Sequence, residues 1–296
     1  MAQWGGTRDG QAKLPELASR LILAVYGPAA ALRFPSDDSI QHAGWDGVCD
    51  TPRDSTHIPA GKSVWEIGAQ RARIGAKAQE DYAKRTANPL GVNPSETCFI
   101  FFTPQSWPQK EVWAAERRAD GIWRDVRVID GDTLVNWLEL YPGVAEWLAV
   151  RIKRRPEGLR NLGEVWSEWS LATIPHLSPE LIIADRDDQA ISVLRWLYNS
   201  GSVLCVQAEA ADEAIAFLHA AIGLLPINNR IYWESRILAA QSDDVARQLI
   251  GLGPKLIVVL NGGDPGVAAA LVNAESIGHD RPNVNAVDVA HAAQER

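Results

Sequence analysis

Gly44-Trp45-Asp46-Gly47 and Ser63-Val64-Trp65-Glu66-Ile67-Gly68 are the stretches on which the reading of this chain turns. From Val64 to Gln70 the residues alternate, with Trp65, Ile67 and Ala69 on one side and Glu66, Gly68 and Gln70 on the other. That is the period of a β-strand. Its apolar side can bury against a helix and leave Glu66 on the opposite side. Asp46 sits between two glycines, which give the backbone freedom for a bulge or tight turn. An Asp-Gly turn is the plainer use of that dipeptide. The alternative is an acid at the end of one strand, set against Glu66 in the next.

Downstream, Gly75 to Arg85 reads as a helix that places Lys77, Asp81 and Lys84 on one face, at i, i+4 and i+7. Such a face can be a solvated set of intrahelical ion pairs. Packed beside the Glu66 strand, it could instead bring Lys77 over the acid. Two carboxylates from neighbouring strands with a lysine nearby form a site for a divalent cation that activates water against a phosphodiester.

This arrangement resembles the PD-(D/E)XK, or restriction-endonuclease-like, nuclease superfamily, with one departure. The superfamily's lysine follows the strand acid by two residues, and here that position is Gly68. Members in which the lysine has migrated to a neighbouring helix make Lys77 the replacement that the resemblance implies. It further implies Mg²⁺ (or Mn²⁺) held by Asp46, Glu66 and the Ile67 carbonyl, with DNA as substrate. Gln70, Glu16 and Lys84 are accessory candidates. Gln70 equally suits an exposed strand end, Glu16 a surface position on the helix from Leu14, and Lys84 a solvated helix face.

Composition sets the bounds. Apolar residues make up 46% and charged residues 22% of the 296-residue chain, as in a soluble globular protein long enough for two domains. The longest apolar run, Leu21 to Leu32, is broken by Tyr26, Gly27 and Pro28 and is no bilayer span. The first residues lack the pattern of a signal peptide, and Cys49, Cys98 and Cys205 suggest neither disulfides nor zinc. These features predict a cytoplasmic protein. Of the net charge of −8, residues 1–175 carry −1 and residues 176–296 carry −7. Basic clusters at Lys84-Arg85, Arg117-Arg118 and Arg151 to Arg155 could follow a phosphate backbone, whereas the acidic second half should not contact DNA.

Along the chain, a helix from Leu14 to Tyr26 precedes the Asp46 and Glu66 strands. After the Lys77 helix, Thr97 to Thr103 suits a strand buried on both faces, and Gly121 to Asp130 the next strand. Helices are expected at Thr133 to Leu140 and Val144 to Ile152. This order is compatible with the αβββαβ core of the superfamily if an early strand pairs as a hairpin. Trp107 and Trp113 flank Lys110 and are the rings to consider for stacking on DNA, although large rings more often pack a core. The nuclease-like domain is expected over residues 1–157 and a linker over 158–175, with Glu157 to Thr173 reading as a short connecting helix followed by that linker.

Residues 176–296 repeat a strand–helix alternation, with strands at Ser202 to Gln207, Arg230 to Glu234 and Lys255 to Leu260, which implies a small α/β domain with a parallel sheet. It resembles a P-loop-type ATPase core. The connection Ala208-Glu209-Ala210-Ala211-Asp212-Glu213 lacks the glycines and the Gly-Lys-Ser/Thr ending that cradle phosphate, so no nucleotide hydrolysis is expected. The glycine-rich stretch Asn261 to Gly266 reads as a simple loop, and the residues from His279 as a polar tail. The two-part layout resembles bacterial anti-phage defence proteins, in which the second region usually continues well beyond the length present here. The second domain reads as a truncated or degenerate copy that serves a protein partner or homo-oligomer. The function implied is a Mg²⁺-dependent endonuclease acting on foreign DNA. The alternative is an inactive nuclease fold used as a regulatory or interaction module.

Overall fold

The computed structural model describes residues 1–35, 44–198, 203–208, 210–250, 252, 256–261, 264–273 and 285–291. The chain forms two compact units, Met1–Leu138 and Glu139–Arg296. Both are mixed α/β. No helix among the described residues is long and apolar enough to cross a membrane.

The first unit opens with a short helix α1 (Ala2–Gly5) and the long α2 (Arg8–Tyr26). Thr7 starts α2 by accepting the Gly10 N–H on its hydroxyl at 3.0 Å. Leu14, Leu17, Leu21 and Ile22 form its fully buried stripe. Three strands follow as an antiparallel meander, β1 (Ala31–Arg33), β2 (Gly47–Thr51) and β3 (Gly61–Ile67), with Leu32 opposite Cys49 and Val48 opposite Val64. Helix α3 (Ile74–Ala87) carries the chain to β4 (Cys98–Phe102), parallel to β3, and α4 (Lys110–Ala119) carries it to β5 (Asp125–Ile129), parallel to β4. Helix α5 (Gly131–Glu139) comes next, and the sheet order is β1-β2-β3-β4-β5.

Parallel neighbours need a crossover, and α3 and α4 supply them. Every side chain of β4 is buried, as a continuous apolar run requires of a central strand covered on both faces. Val64, Phe99 and Phe101 pack with Ile74, Ala78, Tyr82 and Trp113 of α3 and α4. Trp65 packs edge-on to Phe34 at 5.4 Å and against Phe102 at 5.8 Å on the opposite face. Two elements depart from the sequence expectation. β1 is a three-residue edge strand in the connection from α2 to β2, bounded in the sequence by Pro28 and Pro35. α4 buries only Trp113 and Ala114, too thin an apolar stripe to read between two strong strands.

In the second unit, α6 (Pro142–Arg151) leads to β6 (Leu159–Asn161), α7 (Leu162–Ser170), α8 (Pro179–Ile183) and α9 (Asp187–Leu197). Then come β7 (Val203–Ala208), α10 (Ala211–Gly223), α11 (Ile227–Glu234), β8 (Ile237–Ala240) and α12 (Asp243–Gln248). The last described elements are β9 (Ile257–Asn261), α13 (Pro265–Asn273) and β10 (Asn285–His291). Sheet order is β6-β8-β9-β10-β7, parallel except for β6, which pairs antiparallel with β8.

The parallel sheet agrees with expectation, while several boundaries do not. Residues 158–175, expected as a short connecting helix and a linker, contain the helix α7 and, unexpectedly, the strand β6. Asn161 and Glu164 form a reciprocal capping box at the start of α7, and Leu162 and Val165 enter the core. The division falls after Leu138 rather than after residue 157. Arg230 to Glu234 belongs to helix α11, which buries the neighbouring rings Tyr232 and Trp233, and the strand follows at Ile237. β10 forms in the stretch read as a polar tail. Ser202, Glu209, Lys255, Gly262, Gly263 and His279, which figured in the expected strands and loops, lie outside the described residues.

Candidate active site

Asp46 is fixed from both sides. Trp45 is buried and packs edge-on to Trp123 at 5.9 Å and to Phe99 at 6.3 Å. The Asp46 N–H donates to the Trp65 carbonyl at 3.1 Å, and the Ile67 N–H donates to Asp46 Oδ2 at 2.7 Å. Asp46 therefore extends the pairing of β2 with β3 instead of forming a two-residue turn. Gly47 serves packing, since a Cβ there would lie 2.2 Å from Cε1 of Phe34. Burial pushes the Asp46 carboxyl above its usual range. The Ile67 N–H opposes that shift, Asp81 adds to it, and Arg85 and Lys77 lower it.

Glu66, only 6% exposed, points toward α3. There Arg85 donates from Nε to Glu66 Oε1 and from Nη2 to the Gly44 carbonyl. The guanidinium also lies over the Trp45 ring, 4.8 Å from its centre. Burial pushes the Glu66 carboxyl up to about 7, and repulsion from Asp46 adds to this. Arg85 offsets part of the shift.

Helix α3 turns Ile74, Ala78, Asp81, Tyr82 and Arg85 inward. Lys77 Nζ pairs with Asp81 Oδ1 at 2.6 Å. Desolvation works against the Lys77 charge, but the Asp81 partner outweighs it and, with Glu80 and Glu66, leaves the ammonium above its usual value. Asp81 is buried, and its Oδ2 has no hydrogen-bond partner among the described residues. Lys84 is exposed on the outer side. The inward polar set is thus Lys77, Asp81 and Arg85, at i, i+4 and i+8. Sequence reading missed Arg85, although its spacing from Asp81 is that of a helical neighbour.

Gly68 has a steric reason. A Cβ there would lie 2.5 Å from Cζ of the fully buried Phe101 and 3.1 Å from Cδ1 of Ile74. A lysine at that position is incompatible with the packing of α3 against the sheet. Gln70 is exposed, donates to the Arg73 carbonyl at 3.4 Å, and with Asp46, Ile67 and Gln11 helps line a cavity of about 300 Å³. Glu16 pairs with Arg20 at 3.0 Å and Lys13 at 3.3 Å along α2, which ties it to its own helix.

The other charged and aromatic candidates are occupied elsewhere. Trp107 and Trp113 are buried with their ring centres 5.5 Å apart, and Lys110 pairs with Asp130. These rings fill the core and cannot stack on a base. In the basic clusters, Arg117 pairs with Asp120 at 3.1 Å, Arg155 with Glu164 at 3.1 Å, and Arg151 lies over Trp147 at 3.9 Å. Local partners thus take up much of the charge expected to follow a phosphate backbone.

Among the described residues no three His, Cys, Asp or Glu side chains form a ready-made metal cluster. The fit to a cation rests on charge. The buried carboxylates Asp46, Glu66 and Asp81 lie near enough to raise one another's proton affinity, and Asp81 Oδ2 has no hydrogen-bond partner among the described residues. Such a surplus of carboxylate is what a divalent ion relieves. No protein-family model, curated protein or solved structure matches the chain.

Proposed function

We propose that the first unit is a divalent-metal-dependent nuclease that hydrolyses DNA phosphodiester bonds, in defence of a bacterial cell against foreign DNA. The observation that carries this reading is the main-chain clip between Asp46 and Ile67, which holds one carboxylate beside the strand that bears the other. The chain order α2, a three-strand meander, α3 and β4 supports it, being the αβββαβ order that the resemblance implies.

Asp46 and Glu66, with the Ile67 carbonyl, are the groups to hold Mg²⁺ or Mn²⁺. When bound, such an ion supplies Lewis-acid neutralisation of the phosphate and a more acidic water. Lys77, aimed by Asp81, balances charge that builds on the phosphoryl oxygens. Arg85 positions Glu66 from behind. The test is plasmid cleavage in Mg²⁺ or Mn²⁺ by the wild type and by Glu66→Gln. Cutting by the wild type alone supports the reading, and equal cutting by both sinks it.

A second reading has its own support. Arg85 already pairs with Glu66, and Gly68 leaves no room for a lysine on the strand. On that reading the unit is an inactive nuclease fold serving as an interaction module. It predicts no Mn²⁺ binding by calorimetry and no cutting of duplex or single strand.

The second unit is assigned to protein contact and not to nucleotide hydrolysis. At the start of α10, where a phosphate loop would need amide donors and a lysine, stand Asp212 and Glu213. Sedimentation equilibrium of the full chain tests self-association. A monomer at micromolar concentration would exclude the homo-oligomer and leave a heterologous partner.

A further inference from the structure

Between Glu66 and the helix bearing Lys77, the chain passes through Ala69-Gln70-Arg71-Ala72-Arg73. Ala69 and Gln70 line the same cavity as Asp46 and Ile67. Arg71 and Arg73 are exposed. Arg71 donates from Nη2 to the Gln3 carbonyl at 3.1 Å, a neutral acceptor that steadies the side chain without cancelling its charge. Among the described residues neither arginine is paired with a carboxylate. This sets them apart from Arg20, Arg117, Arg127 and Arg155, each of which has an acidic partner.

Arg73 is also held in a backbone conformation that a side chain rarely adopts, φ 57° and ψ 37°. Its carbonyl accepts the Lys77 N–H at 3.1 Å and the Gln70 side-chain amide at 3.4 Å. The loop is therefore built into the start of the helix that supplies Lys77. Asp46 lines the cavity, and the two exposed arginines, without a carboxylate partner among the described residues, follow its lining residues Ala69 and Gln70 directly in the chain. An acid followed by free cations in this way is complementary to a polyanion whose scissile group is bridged by a cation. Guanidinium groups suit phosphate oxygens in particular.

We propose that Arg71 and Arg73 bind the backbone phosphates of the nucleic-acid strand next to the scissile position. They register the strand over Asp46 and Glu66 without reading its bases. The proposal rests on the nuclease reading of the same site and adds the element that holds the substrate.

The test uses the full chain and a short labelled DNA duplex, with Ca²⁺ replacing Mg²⁺, by fluorescence anisotropy over about 50 to 200 mM KCl. In Arg71→Ala/Arg73→Ala, affinity should fall alike for unrelated duplex sequences. The slope of log affinity against log salt should shrink by about 1 per arginine removed. Arg247→Ala, in the acidic second unit and paired with Asp244, should keep the wild-type affinity and slope. Wild-type affinity and slope in the double variant would overturn the proposal, and so would an equal loss in Arg247→Ala. If the wild type cuts DNA and the double variant binds and cuts as well, this assignment fails and the nuclease reading stands. If the wild type neither binds nor cuts, both fall.

Discussion

The backbone N–H of Ile67 is bound to the side chain of Asp46 at 2.7 Å, so the acid next to β2 is clipped to the strand that carries Glu66. The amide in Asp46→Asn keeps an oxygen for that N–H and removes only the charge. We expect this variant to fold with little change in thermal midpoint and to lose DNA cutting. Asp46→Ala should also be less stable, by about 1–3 kcal/mol, because it leaves the Ile67 N–H without its partner. Circular dichroism melts beside a plasmid assay separate the two effects. An Asp46→Asn variant that cuts at the wild-type rate would remove Asp46 from the site.

Glu66 makes stability depend on pH. Its folded value of about 7 lies above the ordinary 4.5, since burial and Asp46 penalise the charged form. Between those values the folded protein holds a proton that the unfolded chain has released. The stabilisation is complete below the lower value and is lost as pH rises through the upper one. Without metal, the melting temperature should fall from about pH 5 to about pH 8, and Glu66→Gln should flatten this part of the profile. Mn²⁺ affinity should climb over the upper part of the same range, because the ion must compete with that proton. Identical profiles for wild type and variant would contradict the assignment of the shift to Glu66.

Lys77 and Asp81 should act as a unit. Lys77→Met is expected to lower the cleavage rate by about 10²–10³ while Mn²⁺ affinity stays near the wild-type value. Asp81→Asn weakens the hold on Lys77 and should lower the rate less. The double variant should be no slower than Lys77→Met alone, the non-additivity of residues in one contact. Rates that multiply would mean the two residues contribute independently.

Gly68→Ala should destabilise the first unit without touching a charged group. The added methyl meets Phe101 and Ile74 in a closely packed layer, and overpacking of this kind costs about 1–3 kcal/mol. A thermal midpoint equal to wild type would mean that α3 shifts freely, contrary to its buried inward face.

What the sequence disclosed follows from which residues carry a periodic signal. The Glu66 strand, the all-apolar β4 and the helix around Lys77 each show their period within a few residues; β4 and the helix form where expected, while the Glu66 strand runs Gly61–Ile67 instead of Val64 to Gln70. The neighbourhood of Asp46 and Glu66 was legible for the same reason. Arg85 was not, because a helix face is ambiguous by one residue in seven: Lys84 and Arg85 both lie within reach of Asp81, and only packing against β3 decides between them. Likewise Gly68 read as a missing lysine, whereas the space beside it is filled by Phe101, a contact from another strand. α4 and β6 escaped because short elements with few buried residues carry little period. The boundary after Leu138 depends on which neighbours Glu139 and the following residues contact, and that is a three-dimensional property.

The most direct test of the central claim is single-turnover cleavage of supercoiled plasmid DNA by the 296-residue chain, comparing the wild type with Glu66→Gln in Mg²⁺, in Mn²⁺ and in EDTA. We expect the wild type to nick or linearise the plasmid with either metal and to be silent in EDTA, and Glu66→Gln, folded, to be silent throughout. Equal cutting by both proteins, or an inert wild type that also binds no Mn²⁺, would contradict it.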